Sequence, residues 1–227
     1  QIMNGINSML GNNQKPTPKL RPKPPGECLL HLRSGDIIPC RVTFIDERGV
    51  TFESKLTEAS FVPHASIKVL ELRLDTRPVK IEKTRFDRLL TLPRMQRDNP
   101  PEQLIRSLDG DYLRGRLVAM NDKELELEMR LDAKKIARDQ VSRILWLHPD
   151  ESAKATISKN NIANPAETPE KKLPTGIRVQ AVPADGNRLT FFAQELAEKT
   201  LSGRSELLGA CRVEIDKIDQ LIIGGEI

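Results

Sequence analysis

An internal repeat constrains this chain more than any other feature. Residues 30–72 match residues 105–147 at a constant offset of 75, without a gap. The match is clearest where a Gly-Asp pair opens an alternating run, at Gly35 in the first copy and at Gly110 in the second. Self-similarity over this length predicts two copies of one folding unit, so the architecture is expected to be modular.

A weaker third copy follows at an offset near 76. Residues 185–187 (Asp-Gly-Asn) take the place of residues 109–111 (Asp-Gly-Asp), and residues 218–224 supply a closing strand. This match needs gaps. It predicts a third unit of the same kind as the first two.

Each copy predicts about five short β-strands. After the turn at Ser34 and Gly35, apolar residues recur at every second position, namely Ile38, Cys40, Val42 and Phe44. Residues 69–72 close the first copy as residues 144–147 close the second. In the second copy, apolar residues at 125, 127 and 129 alternate with glutamates at 124, 126 and 128. This alternation indicates an antiparallel sheet with one buried and one solvated face.

The sequence therefore predicts an all-β fold of tandem small antiparallel β-barrels with extended connections. A sheet of about 45 residues leaves open edges unless it bends and closes, which favours a barrel over the alternative, a flat antiparallel meander. The spacing of Phe86, Leu89 and Leu90 predicts a short helix in the first linker. The expected segments are a Pro- and Lys-rich tail at 1–26, barrels at 27–74, 103–148 and 176–227, a linker with the helix at 75–102, and a polar linker at 149–175.

The order of these features resembles a known group of folds. A strand, then Gly-Asp and an alternating run, a short acidic turn and a closing strand of the kind at residues 69–72 resembles the small barrels of Sm-like and SH3-like proteins. It also resembles barrel repeats of large, poorly characterised bacterial envelope proteins. The resemblance covers the three repeated stretches and leaves the connections unexplained.

The Sm-like resemblance implies RNA binding through an Asn in one motif and an Arg-Gly pair in another. In the second copy the Asn position holds Glu126, and Arg138 matches the Arg but is followed by Asp139. The first copy has Thr51 at the Asn position and residues 63–64 (Pro-His) at the Arg-Gly pair. Carboxylates at these places repel phosphates. The resemblance therefore supports the fold and argues against RNA binding of this type.

The N-terminal tail is the predicted partner-binding segment. Apolar residues at helical spacing suit a groove on a partner, and basic residues between prolines suit an acidic partner or a nucleic acid. A solvated linker and a frayed chain end are the alternatives. The formal net charge is only +4, and part of this excess lies in the tail. The tail residues concerned are Ile2, Ile6, Met9, Leu10, Lys15, Lys19, Arg21 and Lys23.

The sequence predicts no enzyme, no cofactor and no metal site. His31, His64 and His148 are scattered, and neither a Gly-rich phosphate loop nor a Ser-centred nucleophile motif occurs. No apolar run reaches the roughly 20 residues that span a bilayer, so no membrane helix is expected.

The cysteines offer a test of register. If the turn at Ser34 and Gly35 joins two antiparallel strands, Cys28 lies opposite Cys40 on the buried face. Such a pair is either a cross-strand disulfide or two buried thiols. Cys211 is then a lone buried residue.

The sequence favours a non-enzymatic scaffold subunit of a larger bacterial assembly, with other protein subunits, including copies of itself, as partners. The alternative is a nucleic-acid-binding protein of Sm-like ancestry that uses the basic tail. Because the chain starts at Gln1 rather than Met, we expect a missing upstream segment, either a cleaved signal peptide or residues left out. A periplasmic, envelope or secreted location is favoured over a cytoplasmic one.

Overall fold

The computed structural model of this protein describes residues 27–73, residue 84, and residues 101–129, 132–148 and 176–224. These residues form three modules of five strands each. Module 1 comprises β1 (Cys28–Leu32), β2 (Ile37–Ile45), β3 (Gly49–Glu53), β4 (Phe61–Pro63) and β5 (Ile67–Glu71). Module 2 comprises β6 (Gln103–Ser107), β7 (Tyr112–Met120), β8 (Glu124–Met129), β9 (Asp132–Ala137) and β10 (Val141–Trp146). Module 3 comprises β11 (Ile177–Pro183), β12 (Leu189–Ala197), β13 (Thr200–Ser205), β14 (Gly209–Glu214) and β15 (Ile218–Ile223).

The three modules share one strand order. In each module the neighbouring strands are the fourth, third, second, first and fifth, and every pairing is antiparallel. A 3-10 turn precedes the fifth strand in all three modules. The predicted all-β, antiparallel fold is therefore confirmed, and residues 177–223 have the same strand order as the first two modules.

The Gly-Asp motif makes the turn between the first and second strands. Gly35, Gly110 and Gly186 have φ of 93°, 91° and 82°. Such angles are free of strain only for glycine, which explains why a glycine occupies this position in all three copies, although Asn187 rather than Asp follows it in the third. The turn then directs the second strand back along the first, with Cys28 opposite Cys40 as predicted.

A β-bulge recurs in the second strand of every module. The register with the third strand shifts between Val42 and Phe44 in β2, at the equivalent place in β7, and between Ala193 and Glu195 in β12. A bulge bends a strand and increases its twist. Consequently, the first half of each second strand pairs with the first strand and the second half pairs with the third strand.

The structure corrects the gapless offset of 75. The last strands align at an offset of 74, so that Leu70 corresponds to Ile144 rather than to Leu145. The evidence is the register: Leu70 lies opposite Leu30, and Ile144 lies opposite Ile105, which is the counterpart of Leu30. Ten residues separate Glu53 from the 3-10 turn at His64, and nine separate its counterpart Glu128 from the 3-10 turn at Arg138. Because side chains alternate between faces, this single residue decides which residues of the last strand are buried.

Two facing core positions, one on the second strand and one on the third, hold one glycine and one large side chain in modules 2 and 3. The glycine is on the third strand in module 3 and on the second strand in module 2. In module 3, a Cβ on Gly203 would lie 2.8 Å from Cδ2 of Phe191. In module 2 the small residue is on the other strand, where a Cβ on Gly115 would lie 2.6 Å from Cγ of Leu127. One large side chain thus fills the space in either module, as dense core packing requires.

Modules 1 and 2 share one sheet. The fifth strands β5 and β10 pair with each other, giving a ten-stranded order of β4-β3-β2-β1-β5-β10-β6-β7-β8-β9, while module 3 forms a five-stranded sheet. Within the described residues, no pairing joins the fourth strand of a module to its fifth strand. Closure of each module into a small barrel therefore remains a prediction. The tail at 1–26, the short helix in the linker at 75–102 and the linker at 149–175 lie outside the described residues.

Candidate functional site

The junction between modules 1 and 2 has approximate two-fold symmetry. Leu70 on β5 lies opposite Ile144 on β10, and these two residues occupy the same position in their modules. Ile45 on β2 pairs with Met120 on β7, and these are again equivalent residues. Positions that pair with their own counterparts mark a two-fold axis. All four side chains are buried.

An aromatic contact closes one side of this junction. The indole Nε1 of Trp146 in module 2 donates a hydrogen bond of 2.9 Å to Nδ1 of His64 in module 1, and the ring centroids are 5.6 Å apart. Because Nδ1 accepts, Nε2 carries the proton and donates to the carbonyl of Asp46 at 2.7 Å. The neutral imidazole thus links the two modules.

Arg138 occupies the position of His64 in module 2. Its Nη1 donates to the carbonyl of Asn121 at 3.2 Å, as His64 donates to Asp46 in module 1. Its Nη2 crosses the junction and donates to the carbonyl of Val42 at 2.9 Å. The arginine that the Sm-like resemblance assigns to RNA therefore stabilises the module junction. The correct match of Arg138 in module 1 is His64, not Pro63, because of the shorter segment before the 3-10 turn.

A carboxylate near the axis contacts a histidine and an arginine. Glu71 on β5 lies 3.3 Å from Nε2 of His31 and 3.5 Å from Nη2 of Arg143, and only 14% of its side chain is exposed. Removing one partner of such a sheltered group costs more than breaking a surface ion pair. The contact of Glu71 with Arg143 therefore contributes to the pairing of β5 with β10.

Module 3 docks on module 1 through a different surface. Ile37 and Arg188 exchange two backbone hydrogen bonds, of 2.8 and 3.0 Å. The buried carboxylate of Asp36 accepts from Oγ of Ser34 at 2.7 Å and from the backbone N–H of Thr190 at 2.8 Å. The aspartate of the Gly-Asp motif thus joins two modules.

The loop after β3 makes a second contact with module 3. Thr57 pairs with Cys211 on β14 as an isolated bridge, and its hydroxyl donates to the carbonyl of Leu208. Arg212 and Glu58 form an exposed ion pair at 3.1 Å. Burial raises the pKa of the Cys211 thiol to about 11. The thiol is therefore protonated and unreactive in the folded protein at neutral pH.

A cleft of about 1050 Å³ lies between modules 1 and 3. Its walls combine carboxylates with basic side chains, so it presents neither a uniform positive surface for phosphates nor an apolar pocket. The charged residues that line it are Glu27, Arg41, Glu53, Lys55, Asp185, Arg212, Glu214, Asp216 and Lys217.

The outer strand of module 3 exposes a residue that is buried in the other modules. Leu221 on β15 lies opposite Ala181, as Leu70 lies opposite Leu30 in module 1. Leu70 and its counterpart Ile144 are fully buried at the two-fold junction, whereas Leu221 is 37% exposed. Within the described part of the chain, β15 pairs only with β11, so its outer edge is open.

Two further apolar residues extend this exposed edge. Leu196 has the position of Ile45 and Met120 in the bulged strand, and it is 61% exposed. Ile223 has the position of Trp146, and it is 64% exposed. We name Leu196, Leu221 and Ile223 the β15 edge surface. Every one of these positions is buried in modules 1 and 2.

Some of the site residues predicted from the sequence lie within the described residues, and others lie outside them. The tail residues from Ile2 to Lys23 lie outside the described residues, so their partner binding remains a prediction. Cys28 and Cys40 lie opposite each other and are free, buried thiols, as is Cys211. The alternatives for this pair are a disulfide and two buried thiols, and the structure contains two buried thiols.

We expect three free thiols. When the protein is unfolded without reductant, all three cysteines should react with a thiol reagent, and in the folded protein at pH 8 all should react slowly because they are buried. The measurement is thiol titration before and after unfolding. One reactive thiol in the unfolded protein would instead show a Cys28–Cys40 disulfide.

Within the described residues, no group of three or more His, Cys, Asp or Glu side chains is arranged to hold a metal ion. Over the same residues, no helix has the length and apolar character needed to cross a membrane. Comparison with known proteins adds no identity: no family model, curated protein or solved structure matches this chain.

The sequence interpretation missed the β15 edge surface. Leu221, Ile222 and Ile223 form a consecutive apolar run in the predicted closing strand of the third copy. Such a run is typical of a strand buried on both faces. This run was the signal that could have revealed the surface.

Proposed function

We propose that this protein is a non-enzymatic interaction subunit of a larger assembly, which binds partner proteins through the β15 edge surface and the N-terminal tail. One observation carries the proposal: Leu196, Leu221 and Ile223 are exposed at positions whose counterparts are buried against another module. Exposed apolar residues on an open strand edge favour association with another sheet.

The contacts of the histidines support a structural role. His64 bridges Trp146 and the carbonyl of Asp46, and Nε2 of His148 lies 2.6 Å from the carbonyl of Ile67. His31 lies beside Glu71. Each imidazole thus contributes to module packing, and two of the three connect modules 1 and 2.

The strand order supports the Sm-like or SH3-like barrel as the ancestry of the modules. An identical order, bulge and turn in three modules is expected if one small barrel was duplicated. In this proposal the barrels act as rigid supports for interaction edges.

Two changes test the proposal. Replacing Ile223 by Asp should weaken partner capture by at least about tenfold, because an exposed apolar contact residue is replaced by a charge. Deleting residues 1–25 should leave the circular dichroism of the modules unchanged and reduce incorporation into the assembly. The measurement is quantitative pull-down from the native source with mass spectrometry. Phe44→Asp, at an exposed apolar residue of module 1, is the control. Unchanged capture by both altered proteins would contradict the proposal.

The nucleic-acid alternative makes a different prediction. Binding through Lys15, Lys19, Arg21 and Lys23 would weaken steeply with salt, because phosphate contacts release counterions. A salt series with single-stranded RNA and DNA measures this slope. Absence of binding at low salt would remove the alternative, and loss of binding on deletion of residues 1–25 would support it.

A further inference from the structure

Two copies of module 3 could form the same kind of interface that joins modules 1 and 2. It needs an open fifth-strand edge and an apolar residue at the end of the second strand on both partners. Module 3 has both features: the β15 edge is open within the described residues, and Leu196 lies at the end of β12.

We infer that the β15 edge surface binds the same surface of a second copy of this chain, so that two chains form a symmetric dimer through their third modules. This inference rests on the proposed function and specifies the partner. The junction within the chain has approximate two-fold symmetry although its two halves differ in sequence. Two identical third modules can form the same junction with true two-fold symmetry, in which each residue meets its own copy on the axis.

The existing junction gives the register of the dimer. Leu70 lies opposite Ile144, and Leu221 is the counterpart of both, so Leu221 of one chain lies opposite Leu221 of the other. The pairing of Ile45 with Met120 likewise places the two copies of Leu196 together. β15 of one chain then runs antiparallel to β15 of the other and joins the two five-stranded sheets into one ten-stranded sheet, as β5 and β10 do within the chain.

The chemistry of the edge agrees with a copy of itself as partner. In this register Asp219 lies opposite Ile223 of the other chain, and Gln220 lies opposite Ile222, so no like charges meet. By contrast, the outer strand β9 of module 2 carries exposed Lys134 and Lys135. Lysines on an edge strand discourage sheet pairing. β15 has no lysine or arginine, and its edge is therefore suited to pairing.

The hydrogen-bonding pattern between β5 and β10 predicts which residues of the two β15 strands come closest together in the dimer. The backbone N–H of Leu72 donates to the carbonyl of Ser142 at 2.9 Å, so the pair next to it, Glu71 opposite Arg143, is a non-hydrogen-bonded pair. In the dimer the equivalent pair is Ile222 opposite Gln220 of the other chain. The Cα atoms of such a pair are about 4.5 Å apart, which is close enough for a disulfide.

The first test is the oligomeric state of the full chain. Sedimentation equilibrium should show a dimer, and Leu221→Asp and Leu196→Asp should each weaken dimerisation by at least about tenfold, because each places two carboxylates on the axis. Phe44→Asp should dimerise as the unaltered chain does. Circular dichroism shows whether each variant is folded, and agreement between two variants on different strands separates loss of the interface from loss of the fold.

The second test examines the register. A chain with Gln220→Cys is mixed with a chain with Ile222→Cys under mild oxidation. Covalent dimers should form in the mixture and not with either chain alone, since the native cysteines are buried. Covalent dimers with either chain alone, or none in the mixture, would overturn the register and with it the inference.

The remaining outcomes distinguish the inference from the proposed function. If the unaltered chain is monomeric but Ile223→Asp abolishes capture of another protein, the second copy is wrong as the partner and the proposed function stands. If the chain is monomeric and deleting residues 1–25 makes it dimeric, its own tail covers the edge, which also overturns the inference. A monomer whose edge captures nothing contradicts both.

Discussion

Gly203→Ala is expected to lower the free energy of unfolding of module 3 by about 3 kcal/mol, the upper part of the usual range for overpacking a core. A Cβ at this position would lie 2.0 Å from the carbonyl oxygen of Phe192 and 2.8 Å from Cδ2 of Phe191. The phenylalanine ring can move, but the carbonyl belongs to the paired strand β12. Relief therefore requires separation of β12 and β13 next to the bulge, where their register already shifts.

The experiment is urea unfolding followed by two signals. Circular dichroism reports all three modules, whereas Trp146, the one tryptophan of the chain, reports the junction of modules 1 and 2. The destabilisation should be larger in the dichroism signal than in the fluorescence signal. Arg204→Ala, on the exposed face of the same strand, is the matched control and should change stability by about 0.5 kcal/mol or less. Equal stability of Gly203→Ala and Arg204→Ala would contradict the close approach of β12 and β13.

The strands and turns were predictable from the sequence because they depend on local properties. Alternation of Ile38, Cys40 and Val42 determines a half-buried strand, and the left-handed φ of Gly35 determines the turn before it. This turn determines the register between β1 and β2, so the position of Cys28 opposite Cys40 was correctly predicted. The repeat extended these local assignments to all three modules.

The one-residue change of offset was not predictable from the residues that it concerns. An offset of 75 places Val69 on Ile144 and Leu70 on Leu145, apolar residue on apolar residue, whereas the true offset places Val69 on Arg143. Sequence similarity therefore favoured the wrong alignment. Only pairing with the first strand of each module shows which residue is buried, and that pairing is a tertiary property.

The junctions between modules were missed for a related reason. Alternation within a strand does not indicate which outer edge will pair with another module. The consecutive apolar residues Ile144, Leu145 and Trp146 carried a signal, because a run of this kind suits a strand buried on both sides. It identifies β10 as an inner strand but does not identify β5 as its partner.

A double-mutant cycle at Leu70 and Ile144 tests the two-fold junction. Both side chains are fully buried, and each change to Ala is expected to cost about 3 kcal/mol from lost burial and a cavity. Because the two residues lie directly opposite each other across the junction, the second change should cost less once the first partner is gone. We expect the double variant to lose at least about 1 kcal/mol less than the sum of the single variants.

The reference for this cycle is a pair of buried residues that do not share a junction. Leu70→Ala combined with Phe191→Ala, which lies in the core of module 3, should be additive within about 0.5 kcal/mol. Urea unfolding followed by circular dichroism, which reports all three modules, is the measurement for both pairs, and the fluorescence of Trp146 is a second signal for the junction. If Leu70→Ala and Ile144→Ala are additive as well, modules 1 and 2 do not pair through β5 and β10.

The same result bears on the third module. The coupling between Leu70 and Ile144 measures how strongly this position holds two modules together in the strand arrangement that Leu221 repeats. A large coupling means that one apolar pair on the axis contributes substantially to module association. An exposed Leu221 then leaves that contribution unused in an isolated chain, and a second copy is the partner able to supply the same contact. If the cycle shows no coupling, the Leu221 pair is not expected to stabilise the proposed dimer. The junction of modules 1 and 2 would then depend on His64, Trp146 and Arg138. None of these three has an equivalent side chain in module 3.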